Sequence, residues 1–166
     1  QLPWSDQLEL QFLDCLRAAD RGLGAAAQAS PFPLLDFKSL IVPPTPLVEL
    51  GPVGPLNCAA VSTWFTLREI EGSCLQVGDT RFNRNLLTVR LTLSASKSDP
   101  GARSVVRELA CVCGALGLPP HLCPYHACLA QVTLLAARFP NMPRETFHLL
   151  PLFLTDTGCA PTKVAM

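Results

Sequence analysis

Three cysteines and a histidine stand close together late in the chain. Cys111-Val112-Cys113 is followed nine residues later by Cys123-Pro124-Tyr125-His126, giving the pattern C-x-C-x9-C-x2-H. Three thiolates and one imidazole suit tetrahedral zinc. Gly114, Gly117, Pro119 and Pro120 lie between the two pairs and let the chain return on itself. His121 and Cys128 offer alternative ligands. The competing reading is a set of buried free thiols, because cysteine is often a core residue. A metal held by all four side chains is structural, since no coordination position is left for water. Cys15, Cys58, Cys74 and Cys159 are dispersed and read as core or incidental residues.

A second group of chemically capable residues lies upstream, in Trp64-Phe65-Thr66-Leu67-Arg68-Glu69-Ile70-Glu71. Val61, Trp64, Phe65, Leu67 and Ile70 recur at helical spacing, which predicts one core-facing helix from about Leu56 to Cys74. Arg68 and Glu71, three residues apart, then fall on neighbouring turns of that helix. Their plainest role is a surface ion pair worth a few tenths of a kcal/mol.

The elements that must carry these residues follow from pattern. Leu8, Phe12, Leu13, Leu16 and Ala19 predict an N-terminal helix ending near Gly22 and Gly24. Seven prolines between Pro31 and Pro55 rule out a regular helix there and predict an extended connector. Gly78-Asp79 turns the chain. Asn85–Leu93 reads as a strand, Ser104–Leu109 as the strand returning, and Asp99-Pro100-Gly101 as turn chemistry, so Lys97 sits at a hairpin tip. Ala127 to Ala136 predicts a helix closed by Pro140. Leu149–Leu154 is apolar without a clear type, and Thr155-Asp156-Thr157-Gly158 is a turn. The fold expected is mainly α with a small antiparallel β-sheet, an α+β class.

Composition narrows the functional classes. Hydrophobic residues make up 49% and charged residues 16% of the 166, enough apolar content for a packed core. Thirteen Lys and Arg balance thirteen Asp and Glu, which argues against a non-specific nucleic-acid coat. It leaves room for a protein that grips one phosphate with a few placed cations. No apolar run is long enough for a membrane span and no signal peptide is visible. With eight cysteines and no secretory signal, buried thiols and metal ligands are favoured over disulfides. The expectation is an intracellular protein, and the initial Gln suggests a fragment or trimmed product.

Taken in order, Leu67-Arg68-x-x-Glu71, then Leu75-Gln76-Val77-Gly78-Asp79-Thr80, Ser96-Lys97-Ser98-Asp99, Cys123-Pro124 opening an apolar helix, and Pro151-Leu152-Phe153 ahead of Gly158 resemble the catalytic domain of the tyrosine recombinases, the phage-integrase family. The cysteine content resembles that of recombinases from eukaryotic mobile elements. The resemblance covers roughly Leu56 to the end. It implies a C-terminally truncated recombinase-like catalytic domain over residues 56–166. It also implies a linker over 31–55, and a helical segment over 1–30 left from an N-terminal DNA-binding domain. Arg68 would clamp phosphate oxygens bidentately, with Glu71 holding the site in place and Lys97 acting as general acid on the leaving oxygen. Arg68 and Lys97 would contact double-stranded DNA. The family needs no metal or nucleotide for catalysis, so zinc here would be structural only. A nuclear location and a homo-oligomer at full length are also implied. The family's H-x-x-R box and its nucleophilic tyrosine have no counterpart, and Tyr125, the only tyrosine, reads as a helix-start residue. The reading from the other class is a zinc-stabilised interaction module with no catalytic role.

Overall fold

Alternation along Thr88-Val89-Arg90-Leu91-Thr92-Leu93 places Val89, Leu91 and Leu93 on one face and Arg90 on the other. That face is the floor of the core. The computed structural model describes residues 34–39, 42–93 and 104–161. Strand β1 (Thr80–Asn83), β2 (Thr88–Leu93) and β3 (Val105–Ala110) form an antiparallel sheet in the order β1-β2-β3. Leu91 pairs with Thr80 on one side and Arg107 on the other. On the outer face Arg90 lies opposite Glu108, with Nη2 to Oε2 at 2.8 Å, and the Thr88 hydroxyl donates to Glu108 Oε1 at 2.7 Å.

The helices among the described residues are α1 (Pro55–Trp64), α2 (Glu69–Cys74), the single turn α3 (Cys113–Leu116), α4 (Pro124–Arg138) and α5 (Arg144–Leu149). Helix α4 packs on α1 and reaches β2 and β3. Phe65, Leu75, Leu91, Leu122, Leu135, Leu152, Phe153 and Leu154 are buried between these layers. The class is therefore α+β with a small antiparallel sheet, as the patterning predicts. The sheet has a third strand, β1, that the patterning does not predict, and a turn at Arg84–Leu87 makes the strand expected from Asn85 begin at Thr88. Leu87 adopts φ 50° there, a conformation its sequence does not advertise.

The continuous helix expected from Leu56 to Cys74 is two helices. Thr66 takes φ 48°, its N–H donates to Thr63 O at 3.2 Å, and Leu67 N–H donates to Ser62 O at 2.9 Å. This is the paired 5→2 and 6→1 closure of a Schellman motif, usually carried by glycine. A threonine in that position removed the stop signal from the sequence. The new helix α2 then begins at Arg68, whose backbone φ and ψ of −76° and 157° are extended.

The segment expected to be a proline-rich connector enters the core at its end. Gly51, Pro52, Val53 and Gly54 are buried, and Val53 N–H donates to Leu154 O at 2.8 Å. The fully buried Gln131 amide of α4 donates to Val53 O at 3.0 Å and Leu152 O at 2.8 Å, and accepts from Asn57 Nδ2 at 3.1 Å. Gly54 adopts φ 71°, and a Cβ there would stand 2.2 Å from Gln131 Oε1, so only glycine fits beside this amide. The N-terminal helix, the Lys97 hairpin tip and the last five residues lie outside the described residues.

Candidate metal centre

Cys111 follows directly on β3, and its backbone N–H donates to Leu87 O at 2.8 Å, fixing the strand's end against the β1–β2 turn. Val112 precedes α3, whose single turn is closed by Leu116 N–H to Val112 O at 2.9 Å and ended by Gly117 at φ 59°. Glycine at that left-handed position is the expected helix stop. The 3-10 turn Pro120–Leu122 then leads to Cys123, the residue preceding α4, with Pro124 at the first helical position. His126 is in the first turn of α4. Trp64 Nε1 donates to Leu122 O at 2.6 Å, so α1 holds this return loop in place.

These elements bring Cys111, Cys113, Cys123 and His126 together, with their ligand atoms all within 4.8 Å of one another. His126 Nδ1 lies 3.4 Å from Cys113 Sγ and 3.7 Å from Cys111 Sγ. Zinc bonds of about 2.3 Å to sulfur and about 2.0–2.1 Å to nitrogen, at a tetrahedral angle, place S and N about 3.6 Å apart. The cluster already has that dimension, and Nδ1 is the nitrogen that faces the thiols. A metal ion fits this donor set. His121 and Cys128, the alternatives by spacing, fall outside it. His121 Nε2 is 3.2 Å from Phe37 O, and Cys128 is fully buried with its thiol pushed up by that burial and by the charge of Cys123.

The electrostatics divide the thiols. Burial raises Cys123, but the backbone N–H groups of His126 and Val112, with the side chains of His126 and Cys111, outweigh it and draw the thiol down to about 6. Val112 N–H reaches Cys123 Sγ at 3.4 Å, and the N-terminus of α4 adds its positive end. Cys113 is pushed up to about 12, first by burial and then by the neighbouring Cys123 and Cys111. Within the cluster Cys123 is thus the thiol whose ionised form is favoured, and Cys113 the one whose protonated form is favoured.

The other residues singled out by sequence are placed differently. Arg68 is exposed and lies at the start of α2, not within a helix. Its backbone N–H donates to Glu71 Oε2 at 3.0 Å, so the R-x-x-E spacing forms half of a capping box. The cation facing the buried Glu71 is Arg107, with Nη2 3.8 Å from Oε2. Arg107 Nη1 also donates to the Phe65 carbonyl and, at 3.2 Å, to that of Thr66. Sequence reading missed Arg107, since an arginine in an alternating strand carries no mark of its partner. Lys97 lies outside the described residues. Tyr125 is buried in the first turn of α4, edge-on to Phe82 at 5.8 Å and to His126 at 5.2 Å between ring centroids.

No known family model, curated protein or solved structure matches this chain.

Proposed function

We propose that this chain is a zinc-stabilised, non-catalytic interaction module, with Cys111, Cys113, Cys123 and His126 as the ligands. The convergence of these four donor atoms within 4.8 Å carries the reading. Zinc would cross-link the end of β3 to the start of α4 and supply folding free energy. Four protein ligands leave no place for an activated water, which supports a structural ion. Beside His126, a shallow groove of about 630 Å³ runs along α4, lined by Leu129, Ala130, Leu134 and Ala137. An apolar groove next to a metal-fixed helix start supports an interaction role. The test is elemental analysis of protein purified without chelators, followed by cobalt substitution. One zinc per chain and a cobalt spectrum with thiolate charge-transfer bands are expected. A metal-free preparation that neither takes up cobalt nor loses stability with chelator would sink the proposal.

A second reading, a DNA breaking-and-joining fragment of a tyrosine recombinase, rests on the motif order around Arg68 and Lys97. One observation favours it: β3 lies against the α1–α2 junction through Arg107, next to the start of α2 where Arg68 stands. The chain alone should not cut DNA, because Tyr125 is only 4% exposed and nucleophilic attack needs an accessible, in-line oxygen. Incubation with nicked suicide substrates checks this. A denaturant-resistant protein–DNA adduct lost in Tyr125→Phe would make Tyr125 the nucleophile.

A further inference from the structure

A pocket of about 430 Å³ lies between β1, α4 and α5. Arg81, Arg84 and Arg144 line it, and no Asp or Glu does. Arg81 is held by its Nη1, which donates to the carbonyl oxygens of Gly78 and Thr80. Arg84 and Arg144 have no ion-pair partner among the described residues. Like charges gathered without a counter-ion repel one another, and a bound anion would relieve that repulsion. The rest of the wall is apolar, with Phe82, Leu129 and Phe147.

We propose that this pocket binds a small organic phosphomonoester whose body is apolar. The planar guanidinium fork matches phosphate oxygens bidentately, and three of them suit a dianion better than a carboxylate. Phe82 and Phe147 flank the ligand's apolar body. None of the pocket's lining residues belongs to the Cys/His cluster.

Calorimetric titration of the full chain with phenyl phosphate, inorganic phosphate and benzoate at low ionic strength tests the assignment. Phenyl phosphate should bind about tenfold more tightly than either of the others, and more weakly as salt screens the arginines. Arg84→Gln and Arg144→Gln should each weaken it about tenfold, the scale of one lost charge-assisted hydrogen bond. Both side chains are exposed, so these variants fold, which an unchanged thermal midpoint will confirm. Phenyl phosphate binding no better than benzoate or inorganic phosphate would overturn the proposal. So would full affinity in the Arg84→Gln/Arg144→Gln double variant.

Discussion

Glu71 and Arg107 meet at the junction of α1 and α2, the Glu71 side chain 2% exposed and the Arg107 side chain 30% exposed, with Nη2 and Oε2 3.8 Å apart. The same carboxylate caps α2 through Arg68 N–H, and the same guanidinium holds the carbonyls of the left-handed turn at Phe65 and Thr66. One ion pair therefore fixes the helix break and ties it to β3. Glu71→Ala should cost about 1–3 kcal/mol, from a lost cap and a guanidinium deprived of its partner. Glu71→Gln should cost less, because its amide oxygen still accepts from Arg68. Urea unfolding midpoints measure both, and identical values for wild type and Glu71→Ala would deny the pair a structural role.

The Cys/His cluster separates cysteines that look alike in sequence. On the zinc-module proposal, Cys123→Ser should abolish stoichiometric zinc and lower the thermal midpoint, since it removes one of the four converging donors. Cys128→Ala, one turn further along α4, should retain about one zinc per chain despite a modest packing loss. Metal content of the two variants decides the matter: loss of zinc in Cys128→Ala would reassign the ligand set.

Gln131 anchors three segments with one amide. Gln131→Leu should cost about 2–4 kcal/mol, because it leaves the Val53 and Leu152 carbonyls buried and unpaired. Gly54→Ala should be of similar severity, through the clash with Gln131 Oε1 and the left-handed backbone. Denaturant titration of each checks this, and a wild-type midpoint for Gln131→Leu would show that the carbonyls find other donors.

Alkaline pH should destabilise the fold through Cys58. Burial pushes this thiol from 9.0 up to about 12, with the Ser62 hydroxyl pulling part of the way back. Below pH 9 both folded and unfolded thiols keep their protons and Cys58 adds no pH dependence. As pH rises from about 9 towards 12 the unfolded thiol ionises first, so stability falls. The Cys58→Ala variant should show a shallower decline between pH 9 and 11. Parallel curves for the two proteins would remove Cys58 as the cause.

Sequence periodicity located the elements whose signals are local. Val89, Leu91 and Leu93 alternate, Ala127 to Ala136 fill a helix ended near Pro140, and the C-x-C-x9-C-x2-H spacing named all four residues that converge. What escaped depends on contacts between distant segments or on unusual backbone. Thr66 performs a turn that glycine normally marks, so α1 and α2 read as one helix. The buried Gly51–Gly54 stretch was masked by its prolines, because the carbonyl that Gln131 needs can be seen only when α4 is in place. β1 was hidden by Phe82 and Arg81, a short pair of residues with too little alternation to register. The R-x-x-E spacing was visible, yet a helix start and a phosphate clamp look the same on paper.

The compactness of the Cys/His cluster along the chain bears on the order of folding. Cys111 and His126 are 15 positions apart, whereas the Gln131 contact with Val53 spans 78. Loop-closure entropy grows with the length enclosed, so the shorter ring closes at lower cost. Bound metal would thus join β3 to α4 before the Gly51–Gly54 stretch docks, making that docking a late step. In stopped-flow refolding, destabilising substitutions at Gln131 should then speed unfolding and leave the refolding rate nearly unchanged, with the reverse for lesions around Cys123.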